Sequence, residues 1–368
     1  MKEQRKIAGI ALAALLALSL TPVSAHAITA VDIPNVEKTL NSNPGTKVTA
    51  TFKFEATPVA LSTGHGNEKT YMDGPDVTIN DITLTDATST ENNNGSTSIV
   101  FSKNGKTGEA AFPHAGIYAW TIKETPNTYN GIGTVDYDSQ VYTLIVSMGN
   151  GGDNPTYESV VVVKGEATSV TNDNKESGGT IPFVNKYTKK TNDDPAKNVD
   201  LKIDKKVTGN QGDKTKMFDF TITFTAPDVL PNGKDAATVL DDITAAVANG
   251  AEVTPQAASG TTRTFTFKAH NASDVTFQGI LEGTTYTISE TAVDGYTQSY
   301  SAVANGQTSQ EQANLLIGEN ENKGTMTNTY DDVTPTGLVL NNLPFILMGS
   351  VAIAGVVLYG AAKRKLEQ

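Results

Sequence analysis

The sequence predicts an all-β protein made of two tandem β-sandwich domains, and three observations lead there. Apolar and polar residues alternate in short runs, the pattern of strands with one face buried. Gly, Asn, Asp and Pro punctuate those runs at close intervals, which fits a sandwich better than an α/β layer fold. The same series of motifs also occurs twice, on either side of a polar, proline-containing stretch at residues 189–199.

In the first half the strands run through VEKTL (36–40), FKF (52–54), WTIKET (120–125), YTLIV (142–146), VVVV (160–163) and IPFVNKY (181–187). The second half repeats the order with LKIDKKV (201–207), FDFTITF (218–224), TFTF (264–267), YTISET (286–291) and GTMTNTY (324–330). Residues 236–248 depart from this pattern. There Val239, Leu240, Ile243 and Val247 recur at helical spacing and predict a short helix in a connection.

The chain ends place the protein outside the cell. Lys2, Arg5 and Lys6 precede an apolar run from Ile7 to Leu20, and Ala25-His26-Ala27 supplies small-residue cleavage positions, so residues 1–27 are expected to be a signal peptide. Residues 343–362 are apolar enough to span a bilayer and are followed by Lys363, Arg364 and Lys365. The expected organisation is a signal peptide (1–27), a first domain (28–188), a linker (189–199), a second domain (200–331), a short motif (332–337), a transmembrane segment (338–362) and a basic cytoplasmic tail (363–368).

Composition narrows the function. The net charge is −12, and because the leader and the segment after Gly337 each carry +2, the exported portion carries −16. A surface that acidic argues against nucleic acid as a partner, since phosphate binding needs basic residues. After maturation the histidines are His65, His114 and His270, which have no metal-ligand spacing, and the chain has no cysteine to act as a nucleophile. An enzyme acting on external substrates is not expected, nor is a metal or a cofactor. The missing cysteines raise another point, because exported β-proteins commonly use disulfides. Any extra covalent stabilisation here must come from different chemistry.

Strand parity points to that chemistry. Side chains alternate between faces, so Glu124 shares a face with Trp120 and Ile122, and Glu290 with Tyr286 and Ile288. Lys38 lies in line with Val36 and Leu40, and Lys205 with Leu201, Ile203 and Val207, whereas Lys206 points the other way. In the last strands Asn185 aligns with Phe183 and Tyr187, and Asn328 with Met326 and Tyr330. Each half therefore presents Lys, Glu and Asn, in that order, to its core. Buried singly, each charge would cost several kcal/mol. Together they can react. Desolvation favours a neutral amine and a protonated carboxyl; the amine can attack the asparagine carboxamide while the glutamic acid polarises its carbonyl and relays protons, releasing ammonia. The product is an isopeptide bond between first and last strands. A buried salt bridge without covalent chemistry is the competing reading.

LKIDKKVTG, FDFTITF, YTISET and MTNTY resemble the streptococcal-type pilin isopeptide-linkage domain, an immunoglobulin-like sandwich of Gram-positive pilin subunits. The resemblance implies two immunoglobulin-like domains, with Lys38 joined to Asn185 under catalysis by Glu124, and Lys205 joined to Asn328 under catalysis by Glu290. The segment NSNPGTK after Lys38 interrupts the usual apolar pattern of the family. Val333, Thr334, Pro335, Thr336 and Gly337, set before the apolar span and the basic tail, resemble a variant sorting signal of the same family. That implies a sortase as partner, cleaving between Thr336 and Gly337 and holding Thr336 as a thioester until an amine resolves it. Attack by a lysine of another copy gives a covalent head-to-tail polymer. Attack by a peptidoglycan peptide gives wall anchoring. The resemblance places the polymerising lysine late in the first domain, where Lys175 is the first choice and Lys164 and Lys186 are alternatives. The expectation is a major pilin subunit, with minor pilins and host surface ligands as further partners. The alternative is a wall-anchored adhesin that does not polymerise.

Overall fold

Alternating apolar residues close two separate sandwiches, each around its own core. The structure, a computed structural model, describes residues 32–61, 70–152, 154–166 and 180–331. The expected signal peptide (1–27), Lys175, the 333–337 motif and the apolar C-terminal segment lie outside the described residues. Among the described residues no helix is long and apolar enough to cross a membrane.

The first sandwich is built from β1 (Asn35–Ser42), β2 (Val48–Pro58), β3 (Asp76–Ile79), β4 (Ile82–Ala87), β5 (Asn94–Lys103), β6 (Lys106–Thr107), β7 (Gly116–Thr125), β8 (Thr134–Asp136), β9 (Val141–Asn150), β10 (Pro155–Lys164) and β11 (Thr180–Thr188). One sheet runs β3-β5-β1-β11-β8 with β6 on β5, and the other runs β10-β9-β7-β2-β4. Their inner faces enclose Val36, Leu40, Phe52, Trp120, Ile122, Leu144, Phe183 and neighbouring side chains.

The second sandwich comprises β12 (Leu201–Thr208), β13 (Phe218–Thr225), α1 (Ala236–Asp241), β14 (Thr244–Ala248), β15 (Glu252–Pro255), β16 (Thr262–Ala269), β17 (Asp274–Gln278), β18 (Thr285–Glu290), β19 (Thr297–Ala304), β20 (Gln307–Ser309), β21 (Leu315–Leu316) and β22 (Lys323–Thr329). Its sheets run β14-β17-β12-β22-β19-β20 and β15-β16-β13-β18-β21. The core holds Leu201, Ile203, Phe218, Phe220, Phe224, Phe277, Tyr286, Ile288 and Met326.

One feature of topology recurs in both. First and last strands are parallel neighbours, β1 with β11 and β12 with β22. Parallel strands cannot be joined by a hairpin and need a long crossover; here the crossover is the rest of the domain. The register is also shared. Lys38 lies opposite Phe183 and Leu40 opposite Asn185, while Lys205 lies opposite Met326 and Val207 opposite Asn328. In each domain the asparagine thus sits two residues beyond the lysine's partner, on the same face of the sheet.

Three expectations need correction. The helix predicted over 236–248 stops at Asp241, and Thr244–Ala248 instead pair as β14 with β17. Val239, Leu240 and Ile243 are buried, but Val247 is exposed, so its match to the helical period was fortuitous. Tyr330 does not continue the inward face of β22: the strand ends at Thr329, and the ring lies partly exposed against Tyr296. The polar stretch after Thr188 is no free linker either. Lys190 forms a β-bridge with Leu281, and Thr191 donates its N–H to the Ile280 carbonyl. Lys189, Thr191 and Asp200 are buried there, held by polar contacts that hydropathy alone does not register.

The first sandwich docks on the second near this stretch. Asn43 exchanges two hydrogen bonds with the Val229 backbone, donating from Nδ2 at 2.8 Å and accepting at Oδ1 at 2.9 Å. A Cβ on Gly283 would lie 2.4 Å from the Asn43 Cβ, so this approach requires glycine, which also has φ +93°.

Candidate isopeptide sites

Lysine and asparagine reach each site from neighbouring strands of one sheet, and the glutamate crosses the sandwich from the other. In the first domain Lys38 on β1 and Asn185 on β11 meet Glu124 on β7. The Lys38 Nζ donates to Glu124 Oε2 at 2.9 Å, with neither side chain exposed. Asn185 Nδ2 donates to Glu124 Oε1 at 2.8 Å. In the second domain Lys205 Nζ donates to Glu290 Oε2 at 3.1 Å, and Asn328 Nδ2 donates to Glu290 Oε1 at 2.5 Å. Each carboxylate bridges the amine and the amide nitrogen with its two oxygens.

Burial sets the protonation chemistry. Desolvation pulls the Lys38 amine down to about 8 despite the opposing pull of Glu124, and it pushes the Glu124 carboxyl up. The Lys205 amine is likewise lowered to about 8 by burial, against the pull of Glu290. Aromatic faces partly compensate each ammonium: Lys38 Nζ is 4.8 Å from the Phe52 ring centre, and Lys205 Nζ is 4.2 Å from Phe218 and 5.3 Å from Phe220. These phenylalanines were not singled out from sequence. Their signal was present in the recurrence of Phe-x-Phe on the second strand of each domain, FKF and FDF.

Each glutamate accepts a hydrogen bond from the amide nitrogen rather than contacting the carbonyl oxygen that it is expected to polarise. In the first domain the carbonyl has another donor, the backbone N–H of Asp138, at 2.7 Å from Asn185 Oδ1. In the second, Asn328 Oδ1 is buried and has no hydrogen-bond partner among the described residues.

A third buried pair serves as an internal control. Lys189 Nζ lies 3.1 Å from Glu282 Oε1 and 3.9 Å from Glu319 Oε2. Glu282 is fully buried and burial pushes its carboxyl up to about 7, but neither oxygen accepts a hydrogen bond from an amide. This site has the charge pair without the electrophile.

The other candidate residues are dispersed. Lys164 is exposed at the end of β10, and Lys186 is exposed on β11 with its Nζ 3.5 Å from Asn232 Oδ1. His114 pairs with Asp73 at 3.3 Å, and His270 contacts the Asn271 carbonyl. His65 lies outside the described residues. Among the described residues no cluster of three or more potential metal ligands occurs.

Fold and sites together define a tandem β-sandwich protein whose domains each bury an amine, a carboxylate and an amide between first and last strands. Residues 34–188 match the family described as Spy0128-like isopeptide containing domain. Residues 199–330 match a domain of unknown function, DUF7601. No curated protein matches the chain. Among solved structures, similarity is found to the major pilin from Streptococcus pyogenes, at 19% identity over 81% of this chain and 98% of that one, with a TM-score of 0.35. The major pilin protein T3.2 from a S. pyogenes serotype is similar at 22% identity over 81% and 97%, with a TM-score of 0.34. A pilus-presented adhesin, Spy0125 (Cpa), is similar at 18% identity over 52% and 37%, with a TM-score of 0.24.

Proposed function

We propose that the chain is a pilin subunit of a sortase-assembled pilus on a Gram-positive surface, with each sandwich closed by its own isopeptide bond. In the first domain the neutral Lys38 amine attacks Asn185 Cγ, the Cγ–Nδ2 bond breaks, and Glu124 carries the proton from Nζ to the ammonia that leaves. In the second, Lys205, Asn328 and Glu290 take the same parts. The observation that carries this reading is the recurrence of one buried triplet, at one register offset, between parallel first and last strands of two domains.

Closure of nearly a whole domain would stabilise the folded state by on the order of 5 kcal/mol, by analogy with disulfide loops. The mechanical consequence is larger. Tension applied to the ends cannot peel apart strands that are covalently joined, which suits a subunit of a long fibre. Polymerisation would proceed through Thr336, resolved by Lys175 of another copy, with Lys164 or Lys186 as alternatives and peptidoglycan as the final acceptor.

The test is electrophoresis of cell-wall extracts boiled in detergent and probed for this chain. A ladder of high-mass species that vanishes in Thr336→Ala is expected of a pilin. A single wall-linked species with no ladder would instead identify an anchored adhesin.

A further inference from the structure

We infer that the backbone N–H of Asp138 is the group that activates the Asn185 carbonyl in the first domain, and that the Asp138 carboxylate holds it in place. The inference rests on the isopeptide reading above, and it assigns a catalytic contact to a loop residue between β8 and β9 that no sequence motif marks. The N–H donates to Asn185 Oδ1 at 2.7 Å while Asn185 Nδ2 donates to Glu124, so the amide orientation is fixed from both ends. When Nζ attacks Cγ, negative charge develops on Oδ1, and a preformed donor in a dry site stabilises that charge without reorganising.

The loop is clamped to the strand that carries the electrophile. Asp138 Oδ2 accepts the Val184 N–H at 2.9 Å, one residue before Asn185, and Asp138 Oδ1 accepts the Gln140 N–H at 2.8 Å. Since β8 pairs with β11 only through Lys186, Tyr187 and Thr188, this side chain extends the pairing beyond the last ladder residue. A carboxylate at 138 therefore aims the N–H of its own residue. The second domain has no counterpart: Asn328 Oδ1 has no partner among the described residues. The two sites consequently differ in carbonyl activation, while both transfer the proton through a glutamate and release one ammonia per bond formed.

The full chain made by cell-free translation allows the donor alone to be deleted. An α-hydroxy acid analogue of aspartate at position 138 converts the N–H to an ester oxygen and leaves the side chain intact. Timed digestion and mass spectrometry then follow the Lys38–Asn185 and Lys205–Asn328 peptides in the same molecules. First-domain crosslinking is expected to slow by about 100-fold, within the range for loss of one oxyanion donor, while the second proceeds at the unsubstituted rate. Asp138→Ala, which keeps the N–H but removes the clamp, is expected to slow the first domain by a smaller factor. Unchanged first-domain kinetics in the ester variant, or equal slowing of both domains, overturns the inference. Failure of the unsubstituted chain to form either crosslink would instead overturn the isopeptide reading, and this inference with it.

Discussion

In the first sandwich the buried asparagine amide is held at both ends, its Nδ2 by Glu124 and its Oδ1 by the Asp138 N–H, whereas in the second only Nδ2 is held, by Glu290. Yet Lys38 and Lys205 are depressed alike, to about 8, and both lie over phenylalanine rings. Burial of the amine beside a glutamate and over phenylalanine is therefore common to both domains, and the hydrogen bonding of the carbonyl is not. The Lys189–Glu282 pair extends the contrast, because it buries the same two charges where no amide reaches the carboxylate. A buried lysine–glutamate pair thus occurs both with and without an amide against the carboxylate, and the amide is present where first and last strands pair in parallel.

Substitutions can break this comparison at graded cost. Glu290→Ala is expected to have the largest effect. It removes the proton carrier and leaves Lys205 buried without its counter-charge, which costs about 3–5 kcal/mol beyond the loss of closure. Calorimetry should record a collapse of the second-domain transition with the first domain retained; an unchanged second transition contradicts the role given to Glu290.

Asn328→Ala leaves the ion pair and removes only the electrophile. Loss of on the order of 5 kcal/mol lowers the second-domain melting temperature by about 15 °C. Asn185→Ala should do the same to the first domain alone. If either variant lowers both transitions equally, the domains are not closed independently.

The control pair predicts a pH effect without covalent chemistry. Burial raises the Glu282 carboxyl from its ordinary 4.5 to about 7, so the folded chain holds this proton in a window where the unfolded chain has released it. Stability of the second domain then falls as pH rises from about 4.5 to about 7, by on the order of 3 kcal/mol. Denaturant titrations across that window should flatten in Glu282→Gln; a slope that persists assigns the effect to another group. The smallest change is expected of Asn43→Ala, which deletes two hydrogen bonds to Val229 and weakens interdomain docking by about 1–2 kcal/mol. Its signature is wider separation of the two calorimetric transitions, and an identical thermogram would count against this contact as part of the joint.

Much of this arrangement was legible in the sequence. Period-two alternation places Glu124 with Trp120 and Ile122, and the same rule aligns Lys205 with Ile203 and Val207, because a strand leaves side chains only two directions. Parity cannot say which strands are neighbours. The parallel pairing of β1 with β11 and the two-residue offset are properties of topology, and only they bring amine and amide together. Asp138 lay beyond sequence reasoning altogether, since a backbone N–H carries no residue signature. The burial of Lys189 was hidden for a different reason: a polar segment reads as solvated unless its partners, here Glu282 and Glu319, are known. Residues 236–248 show how an apolar period can mislead when a six-residue helix and a strand are fused in one window.

The intact mass of the purified chain, followed by peptide mapping, bears most directly on the central claim. A mass lower by two ammonia molecules, with Lys38 recovered joined to Asn185 and Lys205 to Asn328, is the predicted result. Full mass, with all four residues recovered in unmodified peptides, would contradict it.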